Sequence, residues 1–196
     1  MSLLSVFKKF RIKSIIPKED LSDYDDILYQ FKDSLMASDI VNIQNRLSKK
    51  FNKEPKINDV KFAILNQLVR LYSAKNDFQG LSSVYFNMTL IVRQERKNPI
   101  GYLQSFHEMQ LRNWQSTGLV KTIKIYTGKD NMVCGECQKL DEKIYTIDQA
   151  LKEKPLPCKE CWAWHEVAKD EDGKEIIKKF AGPGCRCYYR PEDISL

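Results

Sequence analysis

The sequence predicts an α+β protein, in which a helical N-terminal domain is followed by a small β-rich zinc-binding domain. Apolar residues recur at helical spacing over most of residues 19–118, and the period then changes to the alternation of a strand. All six cysteines of the 196-residue chain lie beyond residue 133. We therefore expect residues 119–196 to form a separate cysteine-rich unit organised by a metal.

Composition and charge narrow the classes of function. Hydrophobic residues make up 42% of the chain and charged residues 30%, which is typical of a globular protein and excludes disorder along the whole chain. No apolar run approaches the ~18 residues of a transmembrane helix. The net charge of +6 is uneven, because residues 41–133 carry +9 and residues 134–196 carry −2. A basic middle favours nucleic acid as the partner.

Residues 1–18 predict a short basic amphipathic helix. Apolar residues recur at three- and four-residue spacing from Leu3 to Phe10, lysines and arginines fall largely between them, and Pro17 ends the pattern. Contact of residues 3–16 with a membrane surface or an acidic partner is one interpretation. Packing against the body of the protein is favoured, because one short helix with no lipidation motif binds bilayers weakly.

Residues 19–118 predict a helical domain. A helical pattern runs from Leu21 to Lys50, and Pro55 breaks it. A further helix is predicted after Pro99. We expect Gly118 to close that helix, because glycine readily adopts the left-handed conformation of a helix end.

The centre of this domain predicts a helical hairpin over residues 58–97. Asn58 or Asp59 is expected to cap its first helix, and residues 76–80 are expected to form its turn. The pair resembles one tetratricopeptide unit, although no second copy follows at a period near ~34 residues. A protein–protein adaptor that uses this hairpin as a groove is therefore the alternative function.

Three basic residues lie at the end of the hairpin. Arg93, Arg96 and Lys97 fall within about one helical turn of each other and are candidate contacts for phosphate or acidic side chains. The dipole of a helix also favours cations near its C-terminus, so these charges have a structural interpretation as well.

The segment after Gly118 predicts a strand that leads into the cysteines. Residues 121–127 alternate polar with apolar. The cysteines then follow in three close pairs: Cys134 and Cys137, Cys158 and Cys161, Cys185 and Cys187. Two C-x2-C pairs separated by 20 residues are typical of a four-cysteine structural zinc site such as that of a zinc ribbon. We expect Zn²⁺ as the cofactor, with one ion favoured and two as the alternative.

A secreted disulfide framework is the competing interpretation of six cysteines. It requires an export signal, and Lys8 and Lys9 interrupt the apolar segment before a signal of ordinary length forms. Closely paired thiols in an intracellular protein more often bind metal. The cysteines are therefore expected to be reduced, in the cytoplasm.

The spacing leaves three ligand sets open. In the first, the two C-x2-C pairs bind one ion. In the second, the first and last pairs bind one ion, and Cys158 and Cys161, with His165 as a candidate third ligand, form a second, incomplete site. In the third, which is least favoured, all six thiolates share a two-metal cluster. An extended Cys185-Arg186-Cys187 places both sulfurs on one face, so Arg186 is predicted to be an exposed cation and a candidate anion contact.

A series of motifs in residues 104–191 carries a family resemblance. The motifs are Trp114 to Gly118, Asp130, Cys134 with Cys137, Leu140 to Tyr145, Pro155 and Pro157, Cys185-Arg186-Cys187, and Pro191. Their order resembles the C-terminal segment of the phage Mu F-like head morphogenesis (minor head protein) family.

The resemblance implies that the first and last cysteine pairs share an ion. It also implies a phage head or DNA-packaging assembly as the partner and a virion-associated location. The chain departs from the family in two places, since residues 181–184 stand where the family has a histidine and the Cys158–Cys161 pair is extra.

The enzyme classes that use such cysteines are not favoured. Pro157-Cys158-x-x-Cys161 is half of the zinc nucleobase deaminase signature, but neither His107 nor His165 is followed two residues later by glutamate. A thiol redox enzyme needs C-x2-C at the start of a helix, whereas residues 138–141 predict a turn. We therefore expect a non-catalytic zinc protein that binds nucleic acid or a macromolecular assembly.

Overall fold

The computed structural model describes residues 21–95, 97–128, 133–158, 161, 163–169, 175–181 and 185–194, and it describes only the backbone of 163–169 and 175–181. The fold is α+β, as predicted: helices form the N-terminal part, and small antiparallel sheets form the C-terminal part. The helix predicted over residues 1–18 lies outside the described residues. Among those described, no helix combines the length and apolarity needed to cross a membrane.

The N-terminal part begins with a 3-10 turn at Leu21–Tyr24. Five α-helices follow within the described residues: α1 (Asp25–Gln30), α2 (Ala37–Phe51), α3 (Ile57–Lys75), α4 (Phe78–Gln94) and α5 (Ile100–Thr117). The continuous helix predicted from Leu21 to Lys50 is therefore wrong. The chain turns at residues 31–36, and α2 starts afresh where the Met36 N–H donates to the Asp39 carboxylate at 2.8 Å.

Helices α3 and α4 form the predicted hairpin. Helix α3 begins at Ile57 with Lys56 as its N-cap, so Asn58 and Asp59 lie in its first turn and the predicted cap is wrong by two to three residues. The turn is confirmed: Asn76 ends α3 in the left-handed conformation (φ 52°), and the Asp77 carboxylate caps α4 by accepting from the Gly80 N–H at 2.8 Å.

Apolar side chains from the 3-10 turn through α4 form the first hydrophobic core. Its fully buried members include Ile40, Ile64, Leu65 and Val84. The apolar stripes predicted for α3 and α4 provide much of this core, because their helical spacing places them on the faces that meet. The core brings α1–α4 together without a cysteine.

Helix α5 leads into the C-terminal part. Gly118 ends it with φ 66°, and its N–H donates to the Trp114 carbonyl at 3.2 Å, as predicted for a glycine cap. The described elements that follow are β1 (Val120–Tyr126), α6 (Gly135–Leu140), β2 (Ile144–Thr146), α7 (Ile147–Glu153), β3 (Ala163–Lys169), β4 (Glu175–Ala181) and β5 (Tyr188–Ile194).

Strand β1 is the centre of a three-stranded antiparallel sheet in the order β2-β1-β5. The predicted alternation is confirmed, because Ile123 and Ile125 are fully buried while Lys124 and Tyr126 lie on the opposite face. Strands β3 and β4 form a separate antiparallel hairpin.

A second hydrophobic core lies beneath the three-stranded sheet. Leu103 and Leu111 of α5 pack in it with Ile123, Ile125 and Tyr189. Five of its fourteen buried members are cysteines. Helix α5 thus contributes to the core of the C-terminal part, and the domain boundary at residue 118 stays a prediction.

Candidate metal centre

The first cysteine pair is positioned by the short helix α6. Cys134 is the N-cap residue of this helix, and its sulfur accepts a hydrogen bond from the Cys137 N–H at 3.4 Å. One helical turn therefore points both sulfurs the same way. The turn predicted over residues 138–141 is wrong, because α6 extends to Leu140. The predicted turn was the argument against a thiol redox enzyme, so that argument no longer holds.

The second pair lies between α7 and β3. The Cys161 N–H donates to the Cys158 carbonyl at 3.1 Å, which holds the two cysteines close together. The segment before it is anchored to the sheet, because the Leu156 N–H donates to the Tyr189 hydroxyl at 3.2 Å. Both cysteines are buried.

The third pair directly precedes strand β5. Cys185 and Cys187 are buried, and Arg186 between them is exposed. This is the arrangement expected of an extended chain, in which alternate side chains point to opposite faces. The exposed position predicted for Arg186 is therefore confirmed.

The structure brings all three pairs together. The Cys161 sulfur lies 3.6 Å from that of Cys134 and 3.5 Å from that of Cys137, and the Cys137 sulfur lies 4.0 Å from that of Cys185. Two groups of three have all their sulfurs within 4.8 Å of one another: Cys134, Cys137 and Cys158, and Cys137, Cys161 and Cys185. These groups are placed to hold a metal ion.

The sulfurs are free thiols. A disulfide bond requires a sulfur–sulfur distance of ~2.05 Å, and the contacts above are much longer. All six cysteines are unbridged. The structure therefore has the reduced thiols that metal binding requires and not the competing disulfide framework.

The thiols perturb one another strongly. The pKa of Cys185 is lowered, because neighbouring thiols donate hydrogen bonds to its sulfur. The pKa of Cys161 is raised, because its hydrogen bond to Cys137 and its burial both favour the protonated form. For Cys134, burial opposes ionisation, but the hydrogen bond from the Cys137 N–H and those from nearby thiols outweigh it and lower the pKa. Thiols this close share protons in hydrogen bonds and cannot all ionise. A metal cation that replaces these protons would allow them to bind as thiolates.

Arg93 connects the helical part to this cluster. Its Nη2 atom donates to the Cys185 carbonyl at 3.2 Å, and its side chain is half-buried. Burial lowers the pKa of Arg93, while the negative charge of the Cys185 and Cys161 sulfurs acts to raise it. Arg93 therefore faces the cysteine cluster, a role that the sequence analysis did not assign to it.

The other candidate residues do not join the cluster in the described part of the chain. The ammonium group of Lys97 is exposed and pairs with the Glu95 carboxylate at 2.6 Å. Arg96 lies outside the described residues. His165 lies on β3 opposite Lys179, and its side chain is outside the described part.

His107 is a buried residue near the cluster to which the sequence assigns no role. Its ring packs edge-on against Tyr189, with the centroids 5.2 Å apart, and it lines a cavity of about 220 Å³ between α5 and α7. Within the described residues neither ring nitrogen has a hydrogen-bond partner. Burial lowers the pKa of His107 to about 4, so the ring is neutral at pH 7.

The outer face of the three-stranded sheet carries aromatic and basic side chains. Tyr126 and Tyr188 are cross-strand partners whose rings stack with centroids 5.9 Å apart and an interplanar angle of 19°. The Arg190 guanidinium lies 5.4 Å and the Lys124 ammonium 6.0 Å from the centroid of the Tyr126 ring. Lys124 also pairs with Glu192 at 2.8 Å. We call Lys124, Tyr126, Tyr188 and Arg190 the tyrosine face.

The converging cysteines define the C-terminal part as a candidate metal-binding module. No family model matches the chain, and neither a curated protein nor a solved structure matches it. The resemblance to phage minor head proteins therefore rests on the sequence motifs alone.

Proposed function

We propose that this chain is a non-catalytic zinc protein whose cysteine cluster holds the C-terminal part together. The observation that carries the proposal is the convergence of thiols from three separate segments, with sulfur contacts of 3.5–4.0 Å between Cys134, Cys137, Cys161 and Cys185. Sulfur ligands in tetrahedral arrangement favour Zn²⁺ among the common divalent ions. A bound ion with ligands from all three segments would crosslink them, in addition to the core and the Leu156–Tyr189 hydrogen bond that they share.

The proposed role is structural, because a catalytic zinc keeps one coordination position open to water or substrate. Here the cysteines other than Cys134 are buried, and more thiols are available than one ion needs. The H-x-E motif that supplies the general acid–base residue of a zinc deaminase is also missing, because neither histidine is followed two residues later by glutamate.

Metal analysis with a thiol count tests the zinc proposal. The full chain would be purified under reducing conditions, its metals quantified by inductively coupled plasma mass spectrometry, and its thiols alkylated before and after chelation. We expect bound zinc, with thiols that become reactive only after the zinc is removed. A metal-free protein, or one with three disulfides, would contradict the proposal.

Our proposal for the partner is single-stranded nucleic acid bound at the tyrosine face. Proteins that bind single strands combine aromatic side chains, on which bases stack, with cations that contact the phosphates. Tyr188 is 48% exposed and therefore accessible to a base, and Arg190 and Lys124 lie beside the stacked rings. The structural alternative is that the stacked pair only stabilises the sheet.

The tyrosine face supports this partner better than the end of the helical hairpin does. Arg93 is directed at the cysteine cluster, and Lys97 is paired with Glu95. Arg186 is exposed two residues before Tyr188 and would extend the basic surface of the tyrosine face.

Binding to short oligonucleotides tests this partner. Fluorescence anisotropy would compare the full chain with Tyr188→Ala, on oligothymidine and oligouridine, at low and moderate salt. We expect affinity to fall steeply with salt and Tyr188→Ala to lose about 1–3 kcal/mol of binding free energy. Tyr29→Ala is the matched control, because Tyr29 is 83% exposed in the helical part. Equal affinity of both variants and the unmodified chain would contradict the proposal.

The setting that we propose is a phage head or DNA-packaging assembly, with the cytoplasm or the virion as the location. The resemblance of residues 104–191 to minor head proteins supports this setting, and the proposed affinity for nucleic acid is compatible with it. Co-sedimentation of the chain with assembled heads would test the setting, and its exclusion from them would contradict it.

A protein–protein adaptor is the second candidate, and a cleft in the helical part favours it. This cleft has a volume of about 640 Å³ and is lined by residues of α2–α5 that include Phe51, Phe62, Ile91 and Tyr102. A peptide that docks an apolar helix face in such a cleft would bind with little salt dependence. Weak salt dependence, with binding lost on Phe62→Asp and kept on Tyr188→Ala, would favour the adaptor over nucleic acid.

A further inference from the structure

Cys137 and Cys161 lie at the centre of the cysteine cluster. The Cys137 sulfur belongs to both groups of three whose sulfurs lie within 4.8 Å of one another. The Cys161 sulfur lies 3.5 Å from that of Cys137 and 3.6 Å from that of Cys134, and it shares the second group with Cys185. Each of these two sulfurs therefore lies close to cysteines from both groups.

The remaining four cysteines lie in two outer pairs. Cys134 and Cys158 share a group with Cys137 on one side. On the other side Cys185 contacts Cys137 at 4.0 Å, and Cys187, buried like Cys185, follows it after one residue. The cluster thus has two sides, each with one outer pair and access to the same two central sulfurs.

We propose that the six thiolates form one binuclear zinc cluster in which Cys137 and Cys161 each bind both ions. One ion is also bound by Cys134 and Cys158, and the other by Cys185 and Cys187. Two tetrahedral ions need eight sulfur contacts, and six thiolates supply eight only if two of them bridge. The proposal deepens the zinc-binding function proposed above and rests on it.

Three sulfur–sulfur separations fit this arrangement. With Zn–S bonds of ~2.3 Å, two sulfurs on one tetrahedral ion lie about 3.8 Å apart. The contacts of 3.5, 3.6 and 4.0 Å bracket this value, and they include one contact on each side and the contact between the central sulfurs. Sulfurs this close leave no space for inorganic sulfide between them, so ions bound directly by cysteine fit better than an iron–sulfur cluster.

A single ion accounts for the cluster less well. Any choice of four cysteines leaves two cysteines that bind no metal. If the first two pairs bind the ion, Cys185 and Cys187 remain buried beside it. Burial keeps such cysteines protonated, so they would contribute nothing to metal binding, whereas a second ion uses all six sulfurs.

The Arg93 guanidinium lies where it can compensate the negative charge of the proposed cluster. Six thiolates and two Zn²⁺ ions leave a net charge of −2, which needs nearby compensation when it is buried. The half-buried Arg93 guanidinium contacts the Cys185 carbonyl at 3.2 Å and lies within electrostatic reach of the Cys185 and Cys161 sulfurs. Arg93 would therefore act as a positioning residue on the side of the Cys185–Cys187 pair.

Native mass spectrometry of the zinc-loaded full chain counts the ions. We expect two zinc ions per chain. One zinc ion would overturn the binuclear cluster and leave the proposed zinc-binding function intact. A chain that binds no zinc would overturn both.

Cadmium substitution tests the bridges in the unmodified protein. In a ¹¹³Cd–¹H correlation spectrum we expect two cadmium resonances, with the β-protons of Cys137 and Cys161 correlated to both of them. The other four cysteines should each correlate with one. A spectrum in which every cysteine correlates with a single cadmium would overturn the bridging assignment without any variant that has to fold.

Two serine variants provide a matched comparison. Cys158→Ser removes a ligand from one ion, whereas Cys161→Ser removes a ligand from both. In a competition with a chromogenic chelator, Cys158→Ser should release one ion at least tenfold faster than the unmodified chain and retain the other. Cys161→Ser should release both quickly. Identical release from the two variants would overturn the central position of Cys161.

Discussion

The most informative perturbation of the fold is the replacement of Cys137 by serine. Cys137 is 1% exposed and contacts the sulfurs of Cys161 and Cys185. The change removes one sulfur and is otherwise nearly isosteric, so its effect reports on the metal centre and not on packing. We expect it to unfold residues 119–190 and to leave α1–α4 folded.

The expected magnitude follows from the composition of the second core. Five of its fourteen buried members are cysteines, so much of the interior of the C-terminal part consists of proposed metal ligands. A structural zinc ion contributes about 10–16 kcal/mol of apparent binding free energy at pH 7, whereas a whole domain is stable by about 5–15 kcal/mol. Loss of even one ion is therefore large enough to unfold this part.

We expect the helical part to stay folded when the C-terminal part loses its metal. Its core is formed by apolar side chains such as Ile64, Leu65 and Val84 and contains no cysteine among the described residues. Helix α5 packs on α4 and also on the sheet, so its C-terminal half should lose protection while α3 and α4 keep theirs.

Hydrogen exchange with mass spectrometry measures both parts in one experiment. Peptides from β1 and β5 should exchange rapidly in Cys137→Ser, and peptides from α3 and α4 should exchange as in the unmodified chain. Ile123→Val is the matched control, because it changes a fully buried residue of the same core at a cost of about 0.5–1.5 kcal/mol and keeps every thiol. Continued protection of β1 and β5 in Cys137→Ser would refute the reasoning.

Two further predictions concern residues near the cysteine cluster. Arg93→Met removes the donor to the Cys185 carbonyl and the cation beside the sulfurs. In a chelator competition, zinc should therefore dissociate faster from the Arg93→Met variant than from the unmodified chain. Equal dissociation rates would contradict the role of Arg93. His107 has a pKa near 4 in the folded protein against 6.5 for an unperturbed ring, so the unfolded state takes up its proton first and stability falls as pH drops from 6.5 towards 4. The expected loss in the free energy of unfolding is about 3 kcal/mol. Denaturant titrations at several pH values should show a smaller loss for His107→Leu than for the unmodified chain. Identical pH profiles for the two proteins would contradict the lowered pKa of His107.

Much of the helical fold could be predicted because its signals are local. The spacing of apolar residues identified α3 and α4, Asn76 and Asp77 marked the turn between them, and Gly118 marked the end of α5. The break at residues 31–36 was missed, because the apolar residues on both sides still pack into one core and keep a helical spacing. Thr146 and Gln149 form a capping box that starts α7, and the T-x-x-Q pattern was a local signal that the sequence analysis did not use.

The metal centre could be predicted only in part. The spacing within each cysteine pair identified the candidate ligands, because residues two or three apart meet within one turn. How the three pairs combine depends on contacts between residues 24 to 48 positions apart in sequence, such as those of Cys137 with Cys161 and Cys185. The approach of Arg93 to Cys185 spans 92 positions and leaves no pattern in the sequence.

X-ray absorption at the zinc edge tests the central claim most directly, because it reports the atoms bound to the metal in the intact chain. The account predicts a first shell of four sulfur atoms per zinc at ~2.3 Å, with no nitrogen or oxygen ligand. A shell that contains nitrogen or oxygen, or the absence of zinc from protein prepared under reducing conditions, would contradict a centre built from the six cysteines.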